Sequence, residues 1–191
     1  MTYVLIGCRC LIGVVFLASA MSKLRSRAAL VAFAGSVRAM RLLPRRWERP
    51  VVTAVVAVEL AIPALLALPW GVLPGFGLAL SLLGAFTVAI VLAVRRGVRA
   101  PCRCFGASAA PLGITHLVRN TLLCVVVVAG ALGALLERPA ASHPAGVVVA
   151  VASGALAAVL VVAYDDLTYL WHATPVAPLP GSGVGVRRGI R

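Results

Sequence analysis

Two thiols, Cys102 and Cys104, flank Arg103 in the stretch Pro101-Cys102-Arg103-Cys104-Phe105-Gly106. On an α-helix, residues i and i+2 point to nearly opposite sides, so such a pair meets only on an extended or turned backbone. Pro101 before it and Gly106 after it argue against helix there, which lets the sulfurs approach. The ring is small, so the bond is expected to be strained and easily reduced, suited to exchange rather than scaffolding. Arg103 and the nearby Arg99 favour the thiolate, which is the reactive form. The sharper reading is a redox pair in which one cysteine attacks and the other resolves. The plainer reading is two cysteines at a membrane edge that stay reduced and idle.

A second set of polar residues lies inside apolar runs. Glu59 sits mid-run, where a lone carboxylate is costly and is usually functional or paired. Pro63 follows four residues later, so the Glu59 carbonyl loses its helical donor. His116, Asn120 and Cys124 recur at i, i+4 and i+8, with Arg119 adjoining, and form one stripe running inward from the end nearest the Cys-x-Cys stretch. A Glu59–Arg119 pair inside a bundle would neutralise both charges. Otherwise Arg119 and His116 snorkel to the headgroups and Asn120 joins helices. Lys23 is read as a snorkelling residue. Cys8 and Cys10, on a helix, diverge and cannot bond each other. A relay from them to Cys102 and Cys104 would have to cross about 30 Å of bilayer core. Asp165 and Asp166 face water on this reading, and His143 and His172 have no visible partner.

The elements that must position these residues are membrane helices. The chain has 191 residues, is 62% hydrophobic and has a mean hydropathy of +1.05. A soluble domain is about 45–50% apolar. Five runs reach the length that a span needs, at 2–21, 51–69, 75–94, 115–136 and 145–164. Pro69-Trp70-Gly71-Val72-Leu73-Pro74 makes the second and third a tight hairpin with an interfacial Trp, and a short polar turn joins the fourth and fifth. Residues 22–50 combine Lys23, Arg25, Arg27, Arg38, Arg41, Arg45, Arg46 and Arg49 with apolar residues near helical spacing, up to Pro44. This predicts an amphipathic helix in the interface, its Arg side chains on phosphates; a charged loop that only fixes topology is the alternative. Thr174 to Arg191, rich in Pro and Gly, reads as a disordered basic tail. The fold expected is all-α: a polytopic transmembrane bundle with a four-helix core, a fifth span and an interfacial helix.

The net charge of +13 could suggest nucleic acid, but the cations flank apolar spans, so the partner they indicate is the lipid bilayer. Five cysteines in this spacing do not make a zinc pattern. Ala18-Ser19-Ala20 and Leu5-Ile6-Gly7-Cys8 resemble processing sites but lack the flanking regions these require, so the first helix is read as retained. The basic residues place the N-terminus outside, and loops one and three with the tail in the cytoplasm. Cys102 and Cys104 then face the cytoplasm, whereas disulfide formation belongs outside it. Either one apolar run does not span, or the loop takes electrons from cytosolic thiols.

Cys102-Arg103-Cys104-Phe105-Gly106, followed by His116-Leu117-Val118-Arg119-Asn120-Thr121-Leu122-Leu123, resembles the MauE family of methylamine-utilisation membrane proteins, related to DoxX. Phe16 to Leu24 (FLASAMSKL) looks like that family's end of helix one, and Glu59-Leu60 falls where the family carries an acidic residue. The family usually has Gly between the two cysteines, where this chain has Arg103. The resemblance implies a bacterial plasma-membrane protein that assists thiol-disulfide traffic, or disulfide maturation of a partner, beside a thioredoxin-fold protein. It assigns residues 1–136 to the family domain, leaving a further span at 137–166 and a basic tail at 167–191. Cys102 and Cys104 would carry the exchange, with Arg103, Glu59, His116, Arg119 and Asn120 in support. The electron sink is left unknown: a quinone is conceivable, but no residue identifies one. Two readings of other classes stand beside this one: a membrane scaffold subunit with idle cysteines, and a small-solute transporter using a Glu59/Arg119 pair.

Overall fold

The structure is a computed structural model of the chain, and it describes residues 1–42, 44–97, 114–136 and 143–172. These form six α-helices and, among the described residues, no strand. They are α1 (Thr2–Leu24), α2 (Arg27–Ala39), α3 (Arg45–Ala67), α4 (Val72–Arg95), α5 (Ile114–Leu135) and α6 (Pro144–His172). Five of them, all but α2, are long and apolar enough to cross a membrane. The expected all-α architecture with five membrane-length helices is what the described residues form.

Local chemistry sets the ends. Ser26 caps α2 by accepting the Ala29 N–H at 3.1 Å. Pro44 is the N-cap of α3, and Glu48 lies in its first turn, where the helix dipole favours an acid. Pro74 falls within the first turn of α4, where its missing N–H interrupts no helical bond. Gly97 has a φ of +67°, the left-handed conformation in which glycine ends a helix at least cost. The interfacial helix is shorter than the sequence suggests. Arg45, Arg46 and Arg49 belong to the first two turns of α3 and extend a spanning helix beyond its apolar run. Their long stems can lie along that end while the charges reach the headgroups.

Four contacts fix the register. Arg9 on α1 donates through Nε to the Leu66 carbonyl at 2.9 Å, while Ser19 on the same helix reaches Glu59, so α1 and α3 run antiparallel. Asn120 meets Thr87, and Gly130 lies against Phe76, so α4 and α5 are antiparallel as well. The half of the bundle nearest the α3–α4 turn is a dry core containing Ile12, Phe16, Ile62, Phe76, Leu83 and Leu123. In contrast, α6 packs chiefly on α1 and runs beside it in the same direction. The His143 N–H donates to the Tyr3 hydroxyl at 2.9 Å, and Cys10 Sγ approaches the Val151 carbonyl at 3.4 Å. A β-carbon on Gly154 would stand 2.5 Å from the Gly7 carbonyl oxygen, so only glycine lets the two backbones approach this closely.

Candidate functional site

Within the described residues, the buried polar groups gather in the half of the bundle away from the α3–α4 turn. Glu59 is completely buried, and one of its oxygens, Oε1, accepts from Ser19 Oγ at 2.9 Å and from Lys23 Nζ at 2.8 Å. Lys23 is 2% exposed; its ammonium also donates to Ser19 Oγ at 2.8 Å and lies 4.9 Å from the centre of the Phe33 ring. Ser19 and Lys23 can share one carboxylate because residues i and i+4 stack on one helix face. A helical side chain also points back toward its N-terminus, which brings the Lys23 ammonium down from the end of α1 toward Glu59. Phe33 belongs to α2, so the interfacial helix covers the ion pair from above with an aromatic face.

The sequence reading of these residues needs two corrections. The carboxylate's ion-pair partner is Lys23, not Arg119. Lys23 does not snorkel to the headgroups; it is drawn inward, because the buried carboxylate would otherwise stand uncompensated in a medium that cannot solvate it. His116, Arg119 and Asn120 do lie on one inward face of α5, all buried. Their element faces α4, where Asn120 Nδ2 donates to Thr87 Oγ1 at 3.4 Å and Thr87 donates in turn to the Leu83 carbonyl at 2.8 Å. Cys124, one turn further along α5, is half-buried with a free thiol. Arg103, Cys102 and Cys104 lie outside the described residues. The described helices on either side of them in sequence, α4 and α5, end and begin respectively at the polar end of the bundle.

Helical rise gives the depth of each group. From Glu59 to Ala67 at the end of α3 the backbone rises about 12 Å, and from Val72 to Thr87 along α4 about 22 Å. His116 lies one turn, about 6 Å, beyond Asn120 in the same direction. Glu59 is thus near the middle of a bilayer core about 30 Å thick, and His116 near its edge. Among the described residues, three buried atoms in this series have no hydrogen-bond partner: Glu59 Oε2, Asn120 Oδ1 and His116 Nδ1.

Sequence reasoning missed Ser19, Thr87 and the pair of Arg38 with Glu48. Arg38 Nε donates to the buried Glu48 carboxylate at 2.8 Å and ties α2 to α3. The hydrogen bond and charge of Glu48 raise the Arg38 guanidinium above its ordinary value. Arg96 adds a link from α4, donating to the Arg41 carbonyl at 3.2 Å. A usable signal was present for Ser19: it is four residues before Lys23, on the face of α1 that also carries Phe16 and Ile12. Thr87 gave none, since a lone Thr in an apolar helix usually bonds its own backbone.

A chain built this way is a multi-pass membrane protein with a charged, hydrogen-bonded interior. The family model of the Methylamine utilisation protein MauE matches residues 1–135, and the chain belongs to that family. The match ends on the last residue of α5, so α6 lies outside it. Among curated proteins and among solved structures, nothing matches the chain.

Proposed function

We propose that this protein is a membrane component of thiol-disulfide traffic that exchanges with a thioredoxin-fold partner through Cys102 and Cys104. The observation that carries this reading is the Cys102-Arg103-Cys104 pair in a chain whose first 135 residues match MauE. One thiolate attacks the partner's disulfide, forming a mixed disulfide and releasing a partner thiolate. The second thiolate then attacks the mixed disulfide, which closes the Cys102–Cys104 bond and frees the partner as a dithiol. Two electrons pass to the partner and two protons follow them, so no further oxidant enters the step; the reverse direction uses the same bonds. Arg103 stabilises the attacking thiolate. Glu59, His116, Arg119 and Asn120 support the site from within the bundle. The unit that does this is residues 1–136, with the span at 137–166 and the basic tail at 167–191 as additions. On this proposal the membrane is the plasma membrane of a bacterium, and methylamine utilisation, from which the family takes its name, is the process proposed.

The transporter reading loses its basis, because it needed a Glu59/Arg119 pair and the carboxylate is held by Lys23 instead. Thiol trapping separates exchange from a scaffold role. With Cys102→Ser and Cys104→Ser made singly in cells, one of the two should accumulate a mixed disulfide with a thioredoxin-fold protein, visible as a reducible band. If neither single variant traps a partner and the double variant keeps full function, the cysteines are idle and the exchange reading fails.

A further inference from the structure

Among the described residues, unpartnered buried atoms on α3 and α5 form a graded series, beside the hydrogen-bonded Ser19 and Lys23 of α1 and Thr87 of α4. His116 Nδ1 stands near the bilayer edge, Asn120 Oδ1 with Thr87 below it, and Glu59 Oε2 near the midplane. Pro63, four residues on in α3, also removes the helical donor of the Glu59 carbonyl. Buried polar atoms without a hydrogen-bond partner are rare and are usually met by water or a ligand. Beyond Glu59, toward the α3–α4 turn, the interior changes character: Phe16, Ile62, Phe76 and Leu83 are fully buried and apolar. Among the described residues, none of the buried polar side chains lies in that stretch.

We propose that this series is a hydrated well open at the Arg-rich face and closed by the apolar core, and that Glu59 at its floor is a reversible proton-binding site. Lys23 is the fixed charge partner of the ionised carboxylate, and Ser19 orients its Oε1 oxygen. The titratable groups around Glu59 are few. From α1 it meets Lys23; α2 contributes Arg38, which is committed to Glu48; α4 has no titratable side chain before Arg95; and α5 brings His116 and Arg119. Phe33 of α2 shields the ammonium from water, so protons reach Glu59 along the α5 side of the bundle rather than through α2. The inference stands on the described helices and is independent of the thiol reading.

The test uses the full chain in liposomes, sorted for orientation, with the proton itself as probe. Infrared difference spectra after a pH jump report the buried carboxyl. A protonated-carboxyl band that is absent in Glu59→Gln should appear when the Arg-rich face is acidified and not when the opposite face is. Asn120→Leu should slow that response at least tenfold without changing its final amplitude, a kinetic effect that a purely structural residue would not produce. Should Glu59→Gln fail to fold, Ser19→Ala, which keeps the ion pair, assigns the band by shifting its frequency, since it removes a hydrogen bond from the same carboxylate. No response from either face, an equal response from both, or an unchanged rate in Asn120→Leu would overturn the proposal.

Discussion

Lys23 and Glu59 show how a membrane interior changes the worth of a charge. At a protein surface such a pair contributes about 0–1 kcal/mol, because water already solvates both ions. Here the carboxylate is fully buried and the ammonium nearly so, at 2.8 Å. Removing one partner leaves the other uncompensated, which costs roughly 3–5 kcal/mol, whereas replacing both with neutral groups of similar size is nearly neutral. Lys23→Met and Glu59→Gln are therefore each expected to lower the unfolding midpoint in detergent strongly. The double variant should recover most of the loss, and a double-mutant cycle of thermal unfolding measures the difference. Equal and additive losses would mean that the two residues act separately.

Among the elements, α6 docks on α1 partly through glycine. Its contact with α1 depends on Gly154 meeting the backbone at Gly7, with Cys10 close by. Small residues allow this approach, and in lipid the gain comes from packing, since burial of apolar surface drives little there. Gly154→Leu would force the helices apart, an overpacking cost of about 1–3 kcal/mol. Cys10, held against the Val151 carbonyl, should then be alkylated several-fold faster by a membrane-permeant maleimide, while Cys124 on α5 keeps its rate. A pocket of about 690 Å³ lines the same seam, bounded by Tyr3, Cys8, Val126 and Val149, and it should widen in the variant. The element that the family match leaves out is thus attached through the helix that also carries Ser19 and Lys23.

At the scale of the whole molecule, charge is polarised along the bundle axis. Arg25, Arg27, Arg45, Arg46, Arg95 and Arg96 crowd the end where α1, α2 and α4 finish and α3 begins. At the opposite end Arg9 is turned inward onto the Leu66 carbonyl. By the positive-inside rule, such asymmetry predicts that the Arg-rich end faces the cytoplasm. The expected outcome is that, in a chain with Cys8, Cys10 and Cys124 changed to Ser, an impermeant maleimide reaches Cys102 and Cys104 only from the cytoplasmic side. Labelling from outside alone would invert the topology and place the thiol exchange in an oxidising compartment.

Much of this was legible in the sequence because lipid leaves a chain few choices. A run of about 20 apolar residues must satisfy its own backbone bonds, so it becomes a helix wherever it lies. That reasoning found the five membrane-length helices, a further helix between the first two and the polar stripe His116, Arg119 and Asn120. Glu59 stood out for the same reason, as a carboxylate that such a run must pair. What the sequence could not decide was the partner. From the sequence Arg119 was the candidate cation and Lys23 read as snorkelling; the actual pairing depends on the antiparallel register of α1 against α3, which puts Lys23 one turn above Ser19 and within reach of Glu59. The length of the interfacial helix was equally a tertiary matter, because Arg45 to Arg49 join α3 once Arg38 and Glu48 clamp the two helices together. Spans follow from hydropathy along one dimension; pairings follow from which helix faces meet, and only the packed bundle determines that.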